Sequence, residues 1–319
     1  MSMSPETVLS VIVVNRNTSD LLVRCLDHIF RSEIDGEFEV IVVDNGSGDD
    51  SVERAARHHP RTTIIEAGRN LGFAAANNRA FEETHGEFLL LVNTDAMLRP
   101  DCGGKLLNLM RTSPRAGMAG PQLLNEDGSP QTSYEAVPTL ATETLNRSLL
   151  KRLFPARYPS KFKNLSEPTP VEALIGAVMM IRRDAWIELR GFDEDYFFFL
   201  EETDLAVRMA AAGWGVIHEP NASAVHLQGA TANTVKTGAR IEFYRSRYLF
   251  FLKHYGARSM NVLKGALTAN LAINAAFLGM LNAATRGRSR SVSEKYLVRR
   301  ALWEWHRAGC PAGPGLPRD

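Results

Sequence analysis

Cysteine is scarce in this chain of 319 residues, and the three present form no pattern. Cys25, Cys102 and Cys310 are scattered, with no paired motif, which argues against a disulfide framework or a zinc site and for a reducing compartment. An excess of one charge is missing too. Lys and Arg number 37 against 36 Asp and Glu, a net +1, so no global field points to nucleic acid or to a strongly acidic partner. The first six residues carry no long apolar run, and the run that follows is interrupted by Asn15 and Arg16, so no signal peptide is expected. There is no G-x-G-x-x-G after the first strand and no Walker sequence, which disfavours hydride transfer and P-loop chemistry. Repeats and low-complexity tracts are likewise absent.

What is there has ordinary globular proportions, 45% apolar and 23% charged, enough for one large core or up to two domains. The first half alternates strand and helix signals. Val8 to Val14 is a β-branched run ending at Asn15-Arg16-Asn17. Thr18-Ser19-Asp20 reads as a helix cap before Leu21, Leu22, Cys25, Leu26 and Ile29 at helical spacing. Phe38 to Val43 is a second buried strand, ending at Asp44-Asn45-Gly46-Ser47-Gly48, with Asp49 and Asp50 read as first-turn helix acids. Thr62 to Ile65 leads to Gly68-Arg69-Asn70-Leu71-Gly72-Phe73 and a helix through Phe81. The fourth strand, Phe88 to Val92, runs straight into Asn93-Thr94-Asp95. Continuous apolar strands separated by helices indicate an α/β, doubly wound, mostly parallel sheet with its site along one edge.

Polar residues recur at those strand ends. Asp95 beside Asn93 offers oxygen ligands for a hard divalent cation, or caps a following helix. Asp44 either accepts hydrogen bonds from a base or ribose, or belongs to a turn. Pro121 to Pro170 is irregular, with weak helical pattern around Leu140 to Phe154, and reads as a lid or a substrate-binding insertion. Val171 to Ile181 is strand-like, and Gly176 within it marks close approach of a ligand or another backbone. Next, four aromatics run into Glu201-Glu202-Thr203-Asp204 at the start of a helix. Asp204 suits the helix dipole, whereas burial of Glu201 or Glu202 would raise its pKa and make it a proton acceptor near neutral pH. His226, in an apolar strand, is either packed or completes a metal site.

Taken together, V-I-V-V-N-R-N, V-V-D-N-G-S, G-R-N-L-G-F-A-A-A-N-N, L-V-N-T-D, G-F-D-E-D-Y-F-F-F-L-E-E-T-D-L and V-H resemble, in this order, the family 2 glycosyltransferases. The likeness is strongest to bacterial rhamnosyltransferase-type members and covers roughly residues 8 to 255. It implies a GT-A fold and inverting transfer of a sugar from a nucleotide diphosphate donor to a saccharide or lipid-linked acceptor. On the matching motifs, Asn15, Asn17, Asp44, Asn45, Asn70, Gly72, Phe73 and Asn78 would shape the donor pocket, with Gly176 added to that set. Asn93-Thr94-Asp95 stands where the D-x-D metal motif falls, its first acid replaced by Asn. Asp95, Asn93 and His226 would then hold Mg²⁺ or Mn²⁺. The usual Glu-Asp pair is here Glu201-Glu202, which leaves either one as the base. A sugar nucleotidyltransferase should show a Gly-rich, basic loop after the first strand, and Asn15-Arg16-Asn17 lacks it. A non-catalytic sugar-nucleotide-binding scaffold is the other alternative.

Beyond Gly256 the character changes. Val262 to Ala284 is apolar but carries Lys264, Asn270, Asn274 and Asn282. It reads as a packed helix or a contact with a second copy, as a membrane-surface helix, or as a span. From Arg286 to Arg307 there are seven basic and two acidic residues, net +5, suited to anionic lipid headgroups. The expected organisation is a nucleotide-sugar-binding half (1–125), an acceptor-binding and catalytic half of the same domain (126–255), a helical extension (256–308) and a disordered tail (309–319). The expected location is cytoplasmic, peripheral at the membrane.

Overall fold

The computed structural model describes residues 7–145, 148, 150, 152, 165–227, 236–313 and 315–318. Two compact units share the chain. One comprises Met1–Val137, Ser160–Ala230 and Arg318–Asp319, the other Pro138–Pro159 and Thr231–Pro317.

Among the described residues, the first unit is built on a nine-stranded sheet. Strands β1 (Leu9–Asn15), β2 (Phe38–Asp44), β3 (Thr62–Glu66) and β4 (Phe88–Asn93) form a parallel block in the order β3-β2-β1-β4. Next come β5 (Ala96–Leu98), β6 (Ala116–Leu124) and a separate two-stranded sheet of β7 (Tyr134–Glu135) with β9 (Ala173–Leu174). Strands β8 (Thr169–Pro170), β10 (Val178–Arg182) and β11 (Gly215–His226) complete the set. β10 lies antiparallel between β4 and β6, β6 is parallel to β11, and both β5 and β8 run antiparallel to β11. Six of the nine strands therefore point the same way.

The apolar runs are continuous because each face of the sheet is covered. Val11, Val13, Val40, Val42, Leu90 and Val92 face one core with helices α1 (Ser19–Phe30), α2 (Ser51–His58) and α4 (Cys102–Thr112). The alternate residues Ile12, Ile41, Val43, Leu89 and Leu91 face another. That second core takes in helix α3 (Phe73–Phe81) through Ala74, Ala76 and Ala80. It is closed by Trp186 of α6 (Arg183–Leu189) and by Leu205, Ala206 and Met209 of α7 (Glu201–Ala211). A strand buried on both sides keeps polar side chains only at its end. Register then aligns those ends: Asn15 pairs with Asp44 and Val14 with Asn93.

Several local expectations are corrected. Val171 to Ile181 is two strands, β9 and β10, with Gly176 in the break between them. Thr18 occupies the N-cap position of α1 but makes no capping bond, its hydroxyl being bound elsewhere. Asp49 and Asp50 precede α2, and Asp49 is spent on the backbone N–H groups of Ser19 and Ser51. Asp95 caps no helix, because the chain turns there into β5. The helical pattern from Leu140 is realised as α5 (Leu140–Thr144), closed by a Thr139/Thr142 capping box, and its remainder to Phe154 lies mostly outside the described residues.

The second unit joins α5 to α8 (Lys236–Ala284) and α9 (Arg290–Arg307). Gly256, at φ 80° and ψ 168°, interrupts α8, so it is two helices in line of sequence rather than one rod. Ile241, Leu271, Leu302 and Trp305 make its small core. The tail expected to be disordered from Gly309 is tied down at Pro311, whose carbonyl accepts from Arg245 at 2.8 Å and from Trp305 at 3.0 Å.

Candidate active site

At the C-terminal edge of the parallel block, hydrogen bonds join the strand ends. Asn15 Nδ2 donates to Asp44 Oδ1 and to Ser47 Oγ, each at 3.1 Å, and Asp44 Oδ2 accepts from Ser47 N at 2.9 Å. The Thr18 hydroxyl donates to Asn15 Oδ1 at 2.7 Å and lies 3.1 Å from Thr94 Oγ1, carrying the network across to the Asn93-Thr94-Asp95 turn. Asn17 holds a left-handed backbone (φ 53°) and accepts from Gly48 N at 2.8 Å. Asp44 is 4% exposed, so burial is tolerated only because its oxygens are occupied.

A second group of bonds shapes the loop after β3. Asn45 Nδ2 donates to Asn70 Oδ1 at 2.9 Å while its Oδ1 accepts from Leu71 N at 2.7 Å. Gly72 sits at φ 84°, and a Cβ there would come within 2.5 Å of the Phe197 carbonyl oxygen. Only glycine lets the two chains approach so closely. Phe73 N then donates to that same carbonyl at 2.8 Å, and its ring meets Phe192 and Phe198 at 6.0 and 6.2 Å. Asn78 is turned to the loop before α7: its amide brackets the Phe192 backbone at 2.9 and 3.0 Å and reaches Glu194 at 2.9 Å. Six of the residues expected to line a donor pocket, Asn15, Asn17, Asp44, Asn45, Asn70 and Gly72, thus gather in three braced loops at the ends of β1, β2 and β3, while Asn78 braces a fourth.

Asp95 and His226 meet across the β5–β11 pairing. Asp95 Oδ1 is 3.5 Å from His226 Nε2, and the Asp95 carbonyl accepts from Leu227 N at 2.9 Å. Asn93 contributes backbone, its N–H donating to Ala177 O and its carbonyl accepting from Cys25 Sγ. Among the described residues its side chain makes no hydrogen bond to the Asp95–His226 pair, and no three His, Cys, Asp or Glu side chains gather to hold a metal unaided. The Asp95–His226 pair remains. One carboxylate and one imidazole fit an ion that takes further ligands from a substrate diphosphate, the usual habit of Mg²⁺.

The acid pair heads α7 on a strained approach. Phe199 and Leu200 have φ of 73° and 66°, a left-handed conformation that costs non-glycine residues roughly 1–2 kcal/mol each. Glu201 is 4% exposed and its Oε2 has no hydrogen-bond partner among the described residues. Burial, then the neighbouring Glu202 charge, raises its pKa well above the ordinary carboxylate value. Glu202 is half-buried, and burial, then the charge of Glu135, pushes it up to about 7. Gly176 lies beside it, where an added Cβ would stand 3.5 Å from Glu202 Cγ. Asp204, fully buried, pairs with Arg208 at 2.7 Å, and Arg208 also donates to the Leu189 and Gly191 carbonyls, so this acid holds the loop ahead of its own helix.

Two contributors carried no sequence signal. Glu135 lies on a two-residue strand in the irregular middle of the chain. Gln131, in the same stretch, bonds to His226 through both ends of its amide. Neither sits in a motif or a periodic segment, and only the fold brings them to the site.

The glycosyl transferase family 2 model matches residues 10–190, more than half of the chain. Among curated proteins, the N-acetylglucosaminyl-diphospho-decaprenol L-rhamnosyltransferase of Mycobacterium tuberculosis is 27% identical over 249 residues, covering 73% of this chain and 81% of that one. Rhamnosyltransferase WbbL of Escherichia coli is 22% identical, covering 68% and 82%. Among solved structures, a mannosyltransferase from Pyrobaculum calidifontis in complex with GDP-Man and Mn²⁺ superposes with a TM-score of 0.55 at 18% identity, covering 97% of this chain and 88% of that one. That likeness shows the fold, which is GT-A.

Proposed function

This chain belongs to the family 2 glycosyltransferases, and from that premise we propose that it is a rhamnosyltransferase acting on a saccharide carried by a lipid diphosphate. Transfer of a sugar from a nucleotide sugar follows from the family. The sugar and the acceptor are proposed from the names of the two rhamnosyltransferase relatives, one of which acts on a diphospho-decaprenol. The nucleotidyltransferase and scaffold readings are not favoured.

One observation carries the division of labour. A hydrogen-bonded cradle at Asp44 and a high-pKa acid pair at α7 belong to one unit and are joined through Gly72–Phe197. The Asp44, Asn15 and Asn45 loops would hold the nucleotide. Glu202 would act as the base, because it is the more exposed of the two acids and Gly176 leaves room beside it. The acceptor hydroxyl gives its proton to the Glu202 carboxylate as its oxygen bonds to the anomeric carbon. The bond from that carbon to the diphosphate breaks on the opposite face, and its electron pair leaves with the phosphate oxygen. Configuration is therefore inverted. A base so placed contributes about 10²–10⁴-fold. Asp95 and His226 would hold a Mg²⁺ or Mn²⁺ ion, which when bound supplies positive charge against the leaving diphosphate.

The helical unit supports peripheral attachment at the cytoplasmic membrane surface. Its long helix α8 carries an apolar stretch that is mostly exposed. Leu263 and Leu271 pack inward while Ile273, Phe277 and Met280 are more than half exposed. Exposed Arg286, Arg288 and Lys295 follow in sequence, with no ion pair among the described residues. An apolar face next to free cations suits an anionic leaflet. Salt-sensitive co-sedimentation with phosphatidylglycerol vesicles tests this; retention in the supernatant, or a dimer that covers the face, would refute it.

The transfer reading itself is tested with a panel of nucleoside diphosphate sugars, following metal-stimulated release of nucleoside diphosphate with and without a lipid-linked acceptor. Release from a rhamnose donor, dependent on acceptor, is expected. Donor binding without release from any member would return the scaffold reading.

A further inference from the structure

The Asp95–His226 pair is backed by a chain of directional hydrogen bonds whose sense can be worked out from groups that are only able to accept. Gln131 is 6% exposed. Its Nε2 lies 2.6 Å from the backbone carbonyl of His226 and 2.8 Å from Asn125 Oδ1. A carbonyl oxygen cannot donate, so the atom facing it must be the amide nitrogen. Asn125 is fixed in the same way. Its Nδ2 donates to Ser129 Oγ at 2.8 Å, and that hydroxyl donates onward to the Asp127 carboxylate at 2.6 Å. With both amides locked, the other end of Gln131 is an acceptor. It stands 3.2 Å from His226 Nδ1.

Two oxygen and nitrogen lone pairs facing each other at that distance would repel. The neutral imidazole therefore carries its hydrogen on Nδ1 and keeps the lone pair on Nε2, the nitrogen facing Asp95. The 3.5 Å between Nε2 and Asp95 Oδ1 is long for a hydrogen bond. Adjacent ligands of an octahedral ion at about 2.1 Å lie about 3 Å apart, close to this separation. We propose that Gln131 is a positioning residue that fixes the His226 ring in the Nδ1–H form, so that His226 Nε2 and Asp95 Oδ1 face one divalent cation together. This rests on the reading of Asp95 and His226 as that ion's ligands. The backbone bonds place Gln131 to serve both ends at once: its N–H donates to Leu123 O at 2.8 Å and its carbonyl accepts from Gln122. Because the same amide also holds the His226 carbonyl, ring and main chain are set by one side chain. Outer partners of this kind, donated to by the far nitrogen of a metal-binding histidine, typically govern about 10–100-fold in metal affinity.

The test has a readout without metal or substrate. Proton–nitrogen correlation spectra of the metal-free full chain, with His226 assigned by His226→Ala, should show the Nδ1–H tautomer at a pH where the ring is neutral. Gln131→Leu, which removes the acceptor opposite Nδ1, should lose that preference. Free-Mn²⁺ electron paramagnetic resonance in the presence of inorganic pyrophosphate gives the second readout. Gln131→Leu should bind Mn²⁺ about 10-fold or more weakly, and should weaken it no further in a His226→Ala background. An Nε2–H tautomer in the unmodified chain would overturn the role of Gln131. So would undiminished Mn²⁺ binding by a folded Gln131→Leu chain when His226→Ala binds weakly. Undiminished binding by His226→Ala would instead remove the ligand assignment on which the role depends.

Discussion

Around Asp44 the buried polar groups are paired inside the fold, whereas at the head of α7 Glu201 keeps a buried oxygen without a partner among the described residues and its backbone approach is strained. The first region carries stabilising interactions: Asn15, Asp44, Asn45 and Asn70 bond to one another or to main chain, so the loops are set before any nucleotide arrives. The second stores cost. Two left-handed non-glycine residues and two desolvated carboxyls make a base that is reactive because it is badly solvated. Binding calls for preorganised, satisfied groups, while proton transfer calls for a group whose charged form the protein does not favour. The sheet edge supplies both within one unit, and Gly72 against Phe197 is where they touch.

The largest effect that would sharpen this contrast belongs to Asp95. Asp95→Ala should cut transfer by about 10²–10³-fold or more and abolish metal stimulation, since it removes the only carboxylate of the Asp95–His226 pair. Steady-state release of nucleoside diphosphate over a metal titration measures it, and full activity would end the assignment. Gly72→Ala comes next. With φ 84° and a Cβ 2.5 Å from the Phe197 oxygen, it should destabilise the fold by about 2–4 kcal/mol in denaturant titrations and weaken both regions together. Loss of only one function would show that the two are not mechanically joined.

The smallest effects are those of pH. Because the Glu202 pKa is raised to about 7 and the base must be ionised, kcat/KM should rise through pH 7 to a plateau on the alkaline side. A flat profile from about pH 5.5 to 8.5 would contradict it. Stability should move the opposite way. The raised pKa of Glu201 means that the folded chain binds a proton more tightly than the unfolded chain. Stability is then full below the ordinary carboxylate pKa and is lost as pH rises toward the folded value. Glu201→Gln should flatten that decline by up to about 1.4 kcal/mol per pH unit, read from denaturation at pH 5, 6 and 7.

How much of this was legible in the sequence depended on whether a residue's position was set locally. Strands β1, β2 and β4 announced themselves because burial on both faces makes an unbroken apolar run, and their polar ends followed. The acid pair was visible beside its aromatic wall. The motif places Asn78 among the residues that shape the donor pocket, but not the partners of its amide, Phe192 and Glu194, which lie more than a hundred residues away in sequence. Gly176 falls in the break that divides an apparently single strand into β9 and β10, and that break lies beside Glu202. Val262 to Ala284 showed no clean stripe, since which face is covered is decided by α9, whose Tyr296 packs over Gly279 and whose Ser293 bonds to Asn282. Glu135 and Gln131 had no pattern at all.

The central claim is that holding the donor and accepting the proton are separate tasks of the Asp44 cradle and Glu202. Glu202→Gln measured side by side for nucleoside diphosphate binding and for sugar transfer tests it most directly. Binding within about two-fold of the unmodified chain, with transfer reduced at least about 100-fold, is the expected result. Transfer retained within a few-fold, or binding and transfer lost in equal measure, would contradict it.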